Sequence, residues 1–303
     1  MNLSEPARGT GQLGAQKAAE NLRSLLADIL PDGEISLKVI AGKVIRLNAG
    51  DQSYLVKWIS AKDSAGQNEL RLNRMLAGMG VVSAPRLMFE KQVEGGIVAG
   101  WEWIDGHDLR FQDRRRLPEV FARLGELHRS LRNQAEVIVP LRSRPFASIR
   151  ELLAAEAYRL GSLYSPGFGE RCLEIFSHLE AGYPTLIHGD MHPGNVLVSP
   201  ERVWFIDWSY ACNSLNLFDL DYIQSLPLPG AEPVWTVIGP DEALPVLSAY
   251  FHAAGLDHID LLKTHYAVML WNLLRKHENC IENTYVAEIN QTRLQIQALL
   301  AAL

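Results

Sequence analysis

Residues 188–195 read HGDMHPGN and place two histidines, an aspartate and an asparagine between the apolar runs TLI and VLV. The apolar runs predict short buried strands, and the proline and glycines between them predict a tight polar loop. After VLV, the segment SPER predicts a turn, and VWFID predicts a strand that returns antiparallel to VLV. We therefore expect Asp190, Asn195 and Asp207 to converge at one end of a β-hairpin.

These three side chains have the chemistry that phosphoryl transfer requires. Two carboxylates and an amide supply the hard oxygen ligands that Mg²⁺ prefers. Phosphoryl transfer needs a base for the acceptor hydroxyl and ligands for the metal ions that neutralise the phosphates. Two alternatives stay open, a solvated hairpin with Asx turns and a transition-metal site formed by His188 and His192. Gly189 between these histidines and Pro193 directly after them prevent a regular helix from aligning the two side chains.

Composition limits the class of protein. The chain has 303 residues, 48% of them hydrophobic and 21% charged, which suits a globular protein with two lobes. A net charge of −6 gives no general attraction to nucleic acid or to an anionic membrane. Three widely spaced cysteines predict neither a disulfide framework nor a zinc cluster. The polar start and the lack of a long apolar segment predict a cytoplasmic protein without a membrane partner.

Residue patterns predict a β-rich part followed by a helical part. The first part begins with a leading helix, which is followed by a strand meander over residues 35–57. A second helix comes next, which we expect Ser64 and Gln67 to cap, and two further strands follow it. Strand signals stop at IDGHDLR, and the following segments have helical spacing. In one of them, His128 is expected to be a packing histidine. We therefore predict an N-terminal domain over residues 1–105 and a C-terminal domain over residues 106–303.

The motifs HGDMHPGNVL and FIDWSYA together resemble the catalytic segment of the aminoglycoside phosphotransferase and choline kinase family, relatives of the protein kinases. The resemblance is sharpest between about residues 185 and 225. It implies an α+β, protein-kinase-like fold of two lobes, with a small antiparallel β-rich N-lobe and a larger, mainly helical C-lobe. It also implies ATP in the cleft, Mg²⁺ as cofactor and a small-molecule hydroxyl acceptor.

The same resemblance implies a role for each matching residue. Asp190 resembles the catalytic base, and Asn195 and Asp207 resemble the ligands of the metal ions. His188 resembles the structural histidine that packs under the loop. Asp219 in FDLDYI resembles the buried aspartate that holds the loop through its backbone amides.

Lys57 ends an apolar alternating strand, YLVKW, where an inward-facing cation needs a counterion. Glu69 can supply it, because Glu69, Leu72 and Leu76 share one face of the following helix. This resembles the family's Lys–Glu pair, which places the α- and β-phosphates. A solvated lysine and a solvated glutamate are the alternative.

The segment WEWID, residues 101–105, resembles the linker between the two lobes. The resemblance implies that Trp101 lines the adenine pocket and that the backbone of Glu102 and Ile104 pairs with the base edge. The segment VIAGKVIR, residues 39–46, occupies the position of the glycine-rich loop of protein kinases but has a single glycine. Its composition therefore does not support phosphate binding, and Lys43 is only a candidate phosphate ligand.

The sequence favours an ATP-dependent O-phosphotransferase that acts on an aminoglycoside, an amino sugar or an amino alcohol. A non-catalytic kinase-like nucleotide-binding or scaffold protein is the alternative, and a metal-dependent hydrolase is a third possibility. Glu278 and Glu282 follow the catalytic hairpin, as do Asp221, Asp241 and Glu242. These acids form either a solvated face or an acceptor site that attracts a cationic substrate. The sequence does not indicate an oligomeric state.

Overall fold

A computed structural model describes residues 22, 24–26, 28–30, 35–41, 44–80, 83–109, 115–132, 146–224, 240–256 and 258–303. Gly42, Lys43 and most of the predicted leading helix lie outside these residues. Backbone contacts divide the chain into two compact units, Met1–Asp105 and Gly106–Leu303. None of the helices in the described part of the chain is both long and apolar enough to cross a lipid bilayer.

The first unit contains one antiparallel sheet of five strands. The strands are β1 (Ile35–Ala41), β2 (Val44–Ala49), β3 (Gln52–Ser60), β4 (Leu87–Val93) and β5 (Gly96–Glu102). Their order in the sheet is β1-β2-β3-β5-β4, so consecutive strands pair as hairpins except where β5 lies between β3 and β4. The predicted meander and the two later strands are therefore present.

Each face of this sheet has its own apolar core. Alternate residues of the strands, such as Leu47 and Val56, pack on one face against Leu26 and Leu30. On the other face, helix α1 (Ser64–Gly78) contributes Leu70 to a cluster on β3 and β5. Successive side chains of a strand point to opposite faces of the sheet. The strand residues next to Leu47 and Val56 therefore point to the face that carries α1.

The cap of α1 differs from the prediction. Asp63, not Ser64, is the N-cap, and its carboxylate accepts a hydrogen bond of 2.9 Å from the Gly66 N–H. Gln67 reaches back to the carbonyl of Ser60 instead of completing a capping box. Aspartate and serine are both good caps, so the pattern allowed either register, and the turn after β3 selects Asp63.

The second unit is mainly helical. Its α-helices are α2 (Leu117–Leu131), α3 (Ile149–Tyr164), α4 (Phe168–Phe176), α5 (Pro240–Ala254), α6 (Leu261–Glu282) and α7 (Val286–Ala302). The predicted apolar stripe of α2 is buried, from Val120 to Leu131. The predicted cap of α3 is confirmed, because the Ser148 hydroxyl accepts a hydrogen bond from the Glu151 N–H at 3.1 Å.

Short strands bring the polar loop into this helical unit. The predicted hairpin is formed by β8 (Val196–Val198) and β9 (Val203–Phe205), and β6 (His107–Asp108) pairs with the other edge of β8. The strand before the loop, β7 (Pro184–Ile187), pairs with β10 (Cys212–Leu215). No sequence pattern predicted β6 or β10, because both are short and lack a clear alternation of apolar and polar residues.

A buried histidine makes the stability of this unit sensitive to acid. Burial lowers the pKa of His265 to about 4, from 6.5 for an ordinary histidine. Between pH 6.5 and 4 the unfolded chain therefore binds a proton at His265 that the folded chain does not bind. Folding stability falls on acidification by about 3 kcal/mol from this residue.

We predict that His265→Leu reduces the loss of unfolding free energy between pH 6.5 and 4. Urea unfolding at a series of pH values measures this loss, and His258→Leu, at an exposed position, controls for removing a histidine. A pH dependence in His265→Leu equal to that of the unmutated chain would contradict the prediction.

Candidate active site

His188 begins the polar loop at the end of β7 and is fully buried. Its Nε2 lies 2.7 Å from the Ile206 carbonyl, and its Nδ1 accepts a hydrogen bond from the Asp190 N–H at 3.3 Å. Burial lowers the pKa of His188, which fits a neutral ring with its proton on Nε2. Because both ring nitrogens are occupied by the backbone, His188 is not available as a metal ligand, which disfavours the transition-metal site.

Asp219 holds the start of the loop from below. One carboxylate oxygen accepts a hydrogen bond from the His188 N–H at 2.6 Å, and the other accepts one from the Gly189 N–H at 2.8 Å. The Nε2 of His128 lies 3.1 Å from the same carboxylate. Burial alone would raise the pKa of Asp219, but the hydrogen bonds from His128 and Gly189 hold it below its ordinary value. Asp219 is therefore an ionised carboxylate inside the unit.

A buried polar network continues behind Asp219. The Nδ1 of His128 lies 2.7 Å from the Tyr250 hydroxyl, which also accepts a hydrogen bond from the Asn216 side chain at 2.9 Å. The Asn216 side-chain oxygen accepts one from the Tyr183 N–H at 2.8 Å. The network thus joins α2, α5, the start of β7 and the segment that carries Asp219. Only a packing role was expected for His128, although a histidine on a buried helical stripe indicates a buried polar partner.

The structure brings Asp190 and Asn195 together. The Asn195 side-chain amide donates to the Asp190 backbone carbonyl at 2.8 Å and to its carboxylate at 3.3 Å. The Asp190 side chain is 30% exposed, and His192 Nε2 lies 3.8 Å from it. The Nδ1 of His192 accepts a hydrogen bond from the Gly194 N–H, which caps the short turn Pro193–Asn195. The loop therefore presents the Asp190 carboxylate with its orientation fixed from one side.

The backbone next to Asp207 is attached to the same loop. The Ile206 N–H donates to the Asn195 carbonyl at 2.9 Å, while the Ile206 carbonyl contacts His188. Asp207 itself has φ 62° and ψ 66°, a left-handed conformation that is uncommon outside glycine and is frequent at functional sites. The turn Trp208–Tyr210 follows, with the Trp208 ring 4.9 Å from the ring of His188. These contacts carry Asp207 back to the segment that contains Asn195.

Gly189 is required by both its conformation and its surroundings. Its φ is +77°, and a Cβ at this position would lie 2.5 Å from the backbone oxygen of Tyr210. No side chain fits at this distance, so the loop and the turn Trp208–Tyr210 approach each other only because residue 189 is glycine.

The donor set of Asn195 and Asp207 fits Mg²⁺. The Asn195 side-chain nitrogen donates to Asp190, so the side-chain oxygen of Asn195 points away from Asp190. This oxygen makes no hydrogen bond within the described part of the chain. An amide oxygen and a carboxylate are hard ligands, and Mg²⁺ commonly takes few protein ligands and completes its shell with water and phosphate oxygens. Among the described residues, no group of three His, Cys, Asp or Glu side chains could hold a metal ion.

The first unit contains the second group of predicted residues. Lys57 Nζ lies 2.8 and 2.9 Å from the two carboxylate oxygens of Glu69, whose side chain is only 7% exposed. The same Nζ lies 5.6 Å from the centre of the buried Trp101 ring. The Glu102 side chain accepts a hydrogen bond from the Arg86 N–H at 2.8 Å, and Ile104 is buried just after β5.

The acidic residues suggested for the acceptor have different surroundings. Glu278 forms an ion pair with Arg159, which also pairs with Glu156 at 2.9 Å. Glu282 and Asp241 are exposed, and the side chains of Asp221 and Glu242 lie outside the described part of the chain. Glu278 is therefore already paired within the chain, but it shares the single guanidinium of Arg159 with Glu156.

We predict that Asp219→Asn lowers the unfolding free energy by roughly 3 kcal/mol, because the amide nitrogen faces N–H donors that lose their acceptor. It should also lower kcat, since the loop loses an anchor. Urea unfolding and steady-state kinetics measure the two effects. Asp260→Asn, which changes an exposed N-cap of α6 to another good capping residue, is the matched control and should lower the unfolding free energy much less. Equal unfolding midpoints for the two variants would contradict the anchoring role.

Comparisons with known proteins identify the fold. A choline kinase from Cryptosporidium parvum Iowa II is 15% identical, with a TM-score of 0.59 and coverage of 93% of this chain and 95% of that chain. The choline kinase LicA from Streptococcus pneumoniae is also 15% identical, with a TM-score of 0.57 and coverage of 95% and 100%. A thermostable mutant of aminoglycoside phosphotransferase APH(4)-Ia, in ternary complex with ADP and hygromycin B, is 14% identical, with a TM-score of 0.56 and coverage of 92% and 97%.

At these identities the likeness establishes the fold, and the predicted kinase-like α+β fold is confirmed. A search of the curated proteins found no match. The family model described as "Phosphotransferase enzyme family" matches residues 39–265, which is well over half of the chain. The chain therefore belongs to the phosphotransferase enzyme family, as a small-molecule kinase that transfers a phosphoryl group to an alcohol acceptor.

Proposed function

We propose that this kinase transfers the γ-phosphoryl group of ATP to a hydroxyl of an amine-bearing small molecule. The observation that carries the proposal is the anchored loop, in which the Asn195 amide holds the Asp190 carboxylate while Asp219 fixes the backbone underneath. A loop held in this way keeps the catalytic groups in place before the substrates bind, which lowers the reorganisation needed during transfer.

Asp190 is the proposed catalytic base. Its carboxylate is partly exposed and can accept a hydrogen bond from an acceptor hydroxyl, which directs the hydroxyl oxygen towards the γ-phosphorus. As the new P–O bond forms and the bond to ADP breaks, the hydroxyl proton passes to Asp190. The amide of Asn195 restricts the rotation of this carboxylate.

Asn195 and Asp207 are the proposed ligands of Mg²⁺. When bound, this ion neutralises the negative charge of the phosphates during transfer. The chain holds its two ligands through Ile206, whose N–H is bonded to Asn195 and whose carbonyl contacts His188. His188 and Asp219 are proposed to act through the loop and not on the substrates.

The first unit is proposed to bind the nucleotide. Lys57, held by Glu69, would contact the α- and β-phosphates, and Trp101 would line the base pocket. The backbone N–H of Ile104 has no hydrogen-bond partner within the described residues, which supports a role in pairing with the base edge. The Glu102 carbonyl would supply the acceptor of that pairing. Structural neighbours bound to ADP or AMP also support a nucleotide site.

An aminoglycoside, an amino sugar or an amino alcohol is the proposed acceptor. The structural neighbours include choline kinases and a kinase bound to hygromycin B, and the chain is acidic overall. Glu278 is a weaker candidate than its position in the sequence suggests, because Arg159 already pairs with it. Glu156 and Glu278 nevertheless carry one more negative charge than Arg159 balances, and the exposed Glu282 follows on the same helix.

The proposal predicts ADP release when Mg-ATP is mixed with a suitable amine-bearing alcohol. A panel of amino alcohols, amino sugars, aminoglycosides and matched neutral alcohols, assayed at low and high salt, measures it. Amine-bearing acceptors should have the higher kcat/KM, with a preference that decreases as salt rises. Glu278→Gln and Glu282→Gln test whether these acids contribute to that preference.

Asp190→Asn is the matched control, and it should lower turnover by a factor of about 10² to 10⁴ while ADP still binds. If the protein bound nucleotide but released ADP with no member of the panel, that result would favour the non-catalytic nucleotide-binding alternative. Near-normal turnover in Asp190→Asn would remove Asp190 as the base.

Asp207→Asn should lose Mg²⁺-dependent nucleotide binding without losing the fold. Asparagine tolerates the left-handed backbone of this position, so the melting temperature should change by only a few degrees. The affinity for ADP in the presence of Mg²⁺ should fall roughly tenfold or more, because a charged ligand of the ion is lost. Calorimetric titration of ADP with and without Mg²⁺ measures this, with the exposed Asp241→Asn as control. An unchanged Mg²⁺ dependence would exclude Asp207 as a ligand.

A further inference from the structure

His192 belongs to the polar loop that carries Asp190, and the turn after it fixes the tautomer of its ring. The Nδ1 of His192 accepts a hydrogen bond from the Gly194 N–H at 3.1 Å. A ring nitrogen that accepts a hydrogen bond carries no proton, so in the neutral ring the proton lies on Nε2. The turn Pro193–Asn195 therefore makes the Nε2 of His192 a hydrogen-bond donor.

This donor lies beside the proposed base. The Nε2 of His192 is 3.8 Å from Oδ2 of Asp190, the same oxygen to which the Asn195 amide donates at 3.3 Å. A separation of 3.8 Å is longer than a hydrogen bond, so the two groups are neighbours without being bonded to each other. Both side chains reach the surface, with 35% of His192 and 30% of Asp190 exposed. A substrate that contacts Asp190 therefore also approaches the Nε2–H group.

Residue 194 is glycine at the place where the imidazole ring packs. A Cβ at Gly194 would lie 2.9 Å from Cε1 of His192 and 3.2 Å from its Nδ1. These distances are too short for a normal contact, so a side chain at residue 194 would push the ring away. The φ of Gly194 is not positive, so the backbone itself accepts an alanine. The glycine is therefore required by the position of the His192 ring and not by the backbone.

We propose that His192 is a further catalytic residue, whose Nε2–H donates a hydrogen bond to an oxygen of the phosphoryl group during transfer. A hydroxyl held by Asp190 lies about 2.7 Å from the carboxylate oxygen, and the phosphorus lies roughly 3 to 3.5 Å from that hydroxyl oxygen. A donor 3.8 Å from the carboxylate is then within hydrogen-bond reach of the phosphoryl oxygens. Donors with a fixed orientation stabilise the charge that develops on such oxygens.

His192 keeps its proton throughout this step. The bond between phosphorus and the ADP oxygen breaks, the bond to the hydroxyl oxygen forms, and the hydroxyl proton passes to Asp190. The inference rests on the proposed role of Asp190 as the base, so its test includes Asp190→Asn.

His192→Asn separates the donor from the contact with the turn. The asparagine oxygen can accept the Gly194 N–H in place of Nδ1, but asparagine is too short to place a donor at the position of Nε2. Glutamine is long enough to bring an amide N–H towards that position, so His192→Gln is the matched variant. His258→Asn removes an exposed histidine of the same unit and is the control.

Three measurements compare these variants with the unmutated chain. ADP release from Mg-ATP is assayed with water and with the amine-bearing alcohol that has the highest kcat/KM in the panel. Calorimetric titration gives the affinity for Mg-ADP, and thermal unfolding gives the melting temperature.

His192→Asn should lower kcat by about 10²-fold with both acceptors, because one donor to the transferred group is lost. Its affinity for Mg-ADP should stay within about twofold, since ADP lacks that group, and its melting temperature within a few degrees, since the turn keeps its cap. His192→Gln should recover part of the loss in kcat, and His258→Asn should turn over like the unmutated chain.

Gly194→Ala provides a second test without changing a polar side chain. It should lower kcat because the alanine displaces the ring of His192. On the His192→Asn background it should lower kcat little further, because the two substitutions act on the same contact. Full additivity of the two losses would show that the alanine does not act through His192.

The results that overturn the inference differ from those that overturn the proposed base. Normal turnover in His192→Asn, with turnover lost in Asp190→Asn, would reject His192 and keep Asp190. A melting temperature that falls together with kcat in His192→Asn would leave His192 only its contact with the turn. Mg-ADP binding weakened as strongly as kcat would place His192 at the nucleotide and not at the transferred group. If Asp190→Asn kept its turnover, or the unmutated chain released no ADP, both proposals would fail.

Discussion

A carboxylate that is 1% exposed must be matched by hydrogen-bond donors, and Asp219 meets this requirement with two loop amides and a histidine. An unpaired charge at this depth would cost several kcal/mol, so the amides of His188 and Gly189 have to lie where Asp219 can reach them. The position of Asp190, one residue later, follows from that constraint. His128, Tyr250 and Asn216 extend the constraint to the helices of the second unit. The start of the loop is thus tied by a chain of hydrogen bonds to the helices of the second unit.

The two units use charge differently. In the second unit, the buried charge of Asp219 is fully matched by the chain and serves to shape the backbone. In the first unit, Lys57 is matched by Glu69. The enclosed charges are thus matched by backbone amides and a histidine in the second unit and by an ion pair in the first.

Much of the site was predictable because it depends on local patterns. The hairpin follows from two β-branched runs and a turn, and its ends bring Asp190, Asn195 and the backbone before Asp207 together. The Lys57–Glu69 pair follows from strand and helix periodicity within twelve residues. Contacts between distant segments were not predictable. Arg159 pairs with Glu278 across 119 positions, and His128 reaches Tyr250 across 122, with no pattern in the sequence that links them. The strand β10 was missed because only its pairing with β7 makes CNSL a strand.

The close approach at Gly189 also bears on how this loop can diverge. The contact involves the backbone oxygen of Tyr210, not its side chain, which is 48% exposed. This contact therefore does not depend on which side chain residue 210 carries, whereas it does depend on glycine at residue 189. Any side chain at residue 189 would force the backbone of the loop away from Tyr210, so changes compatible with this backbone are confined to other positions of the loop.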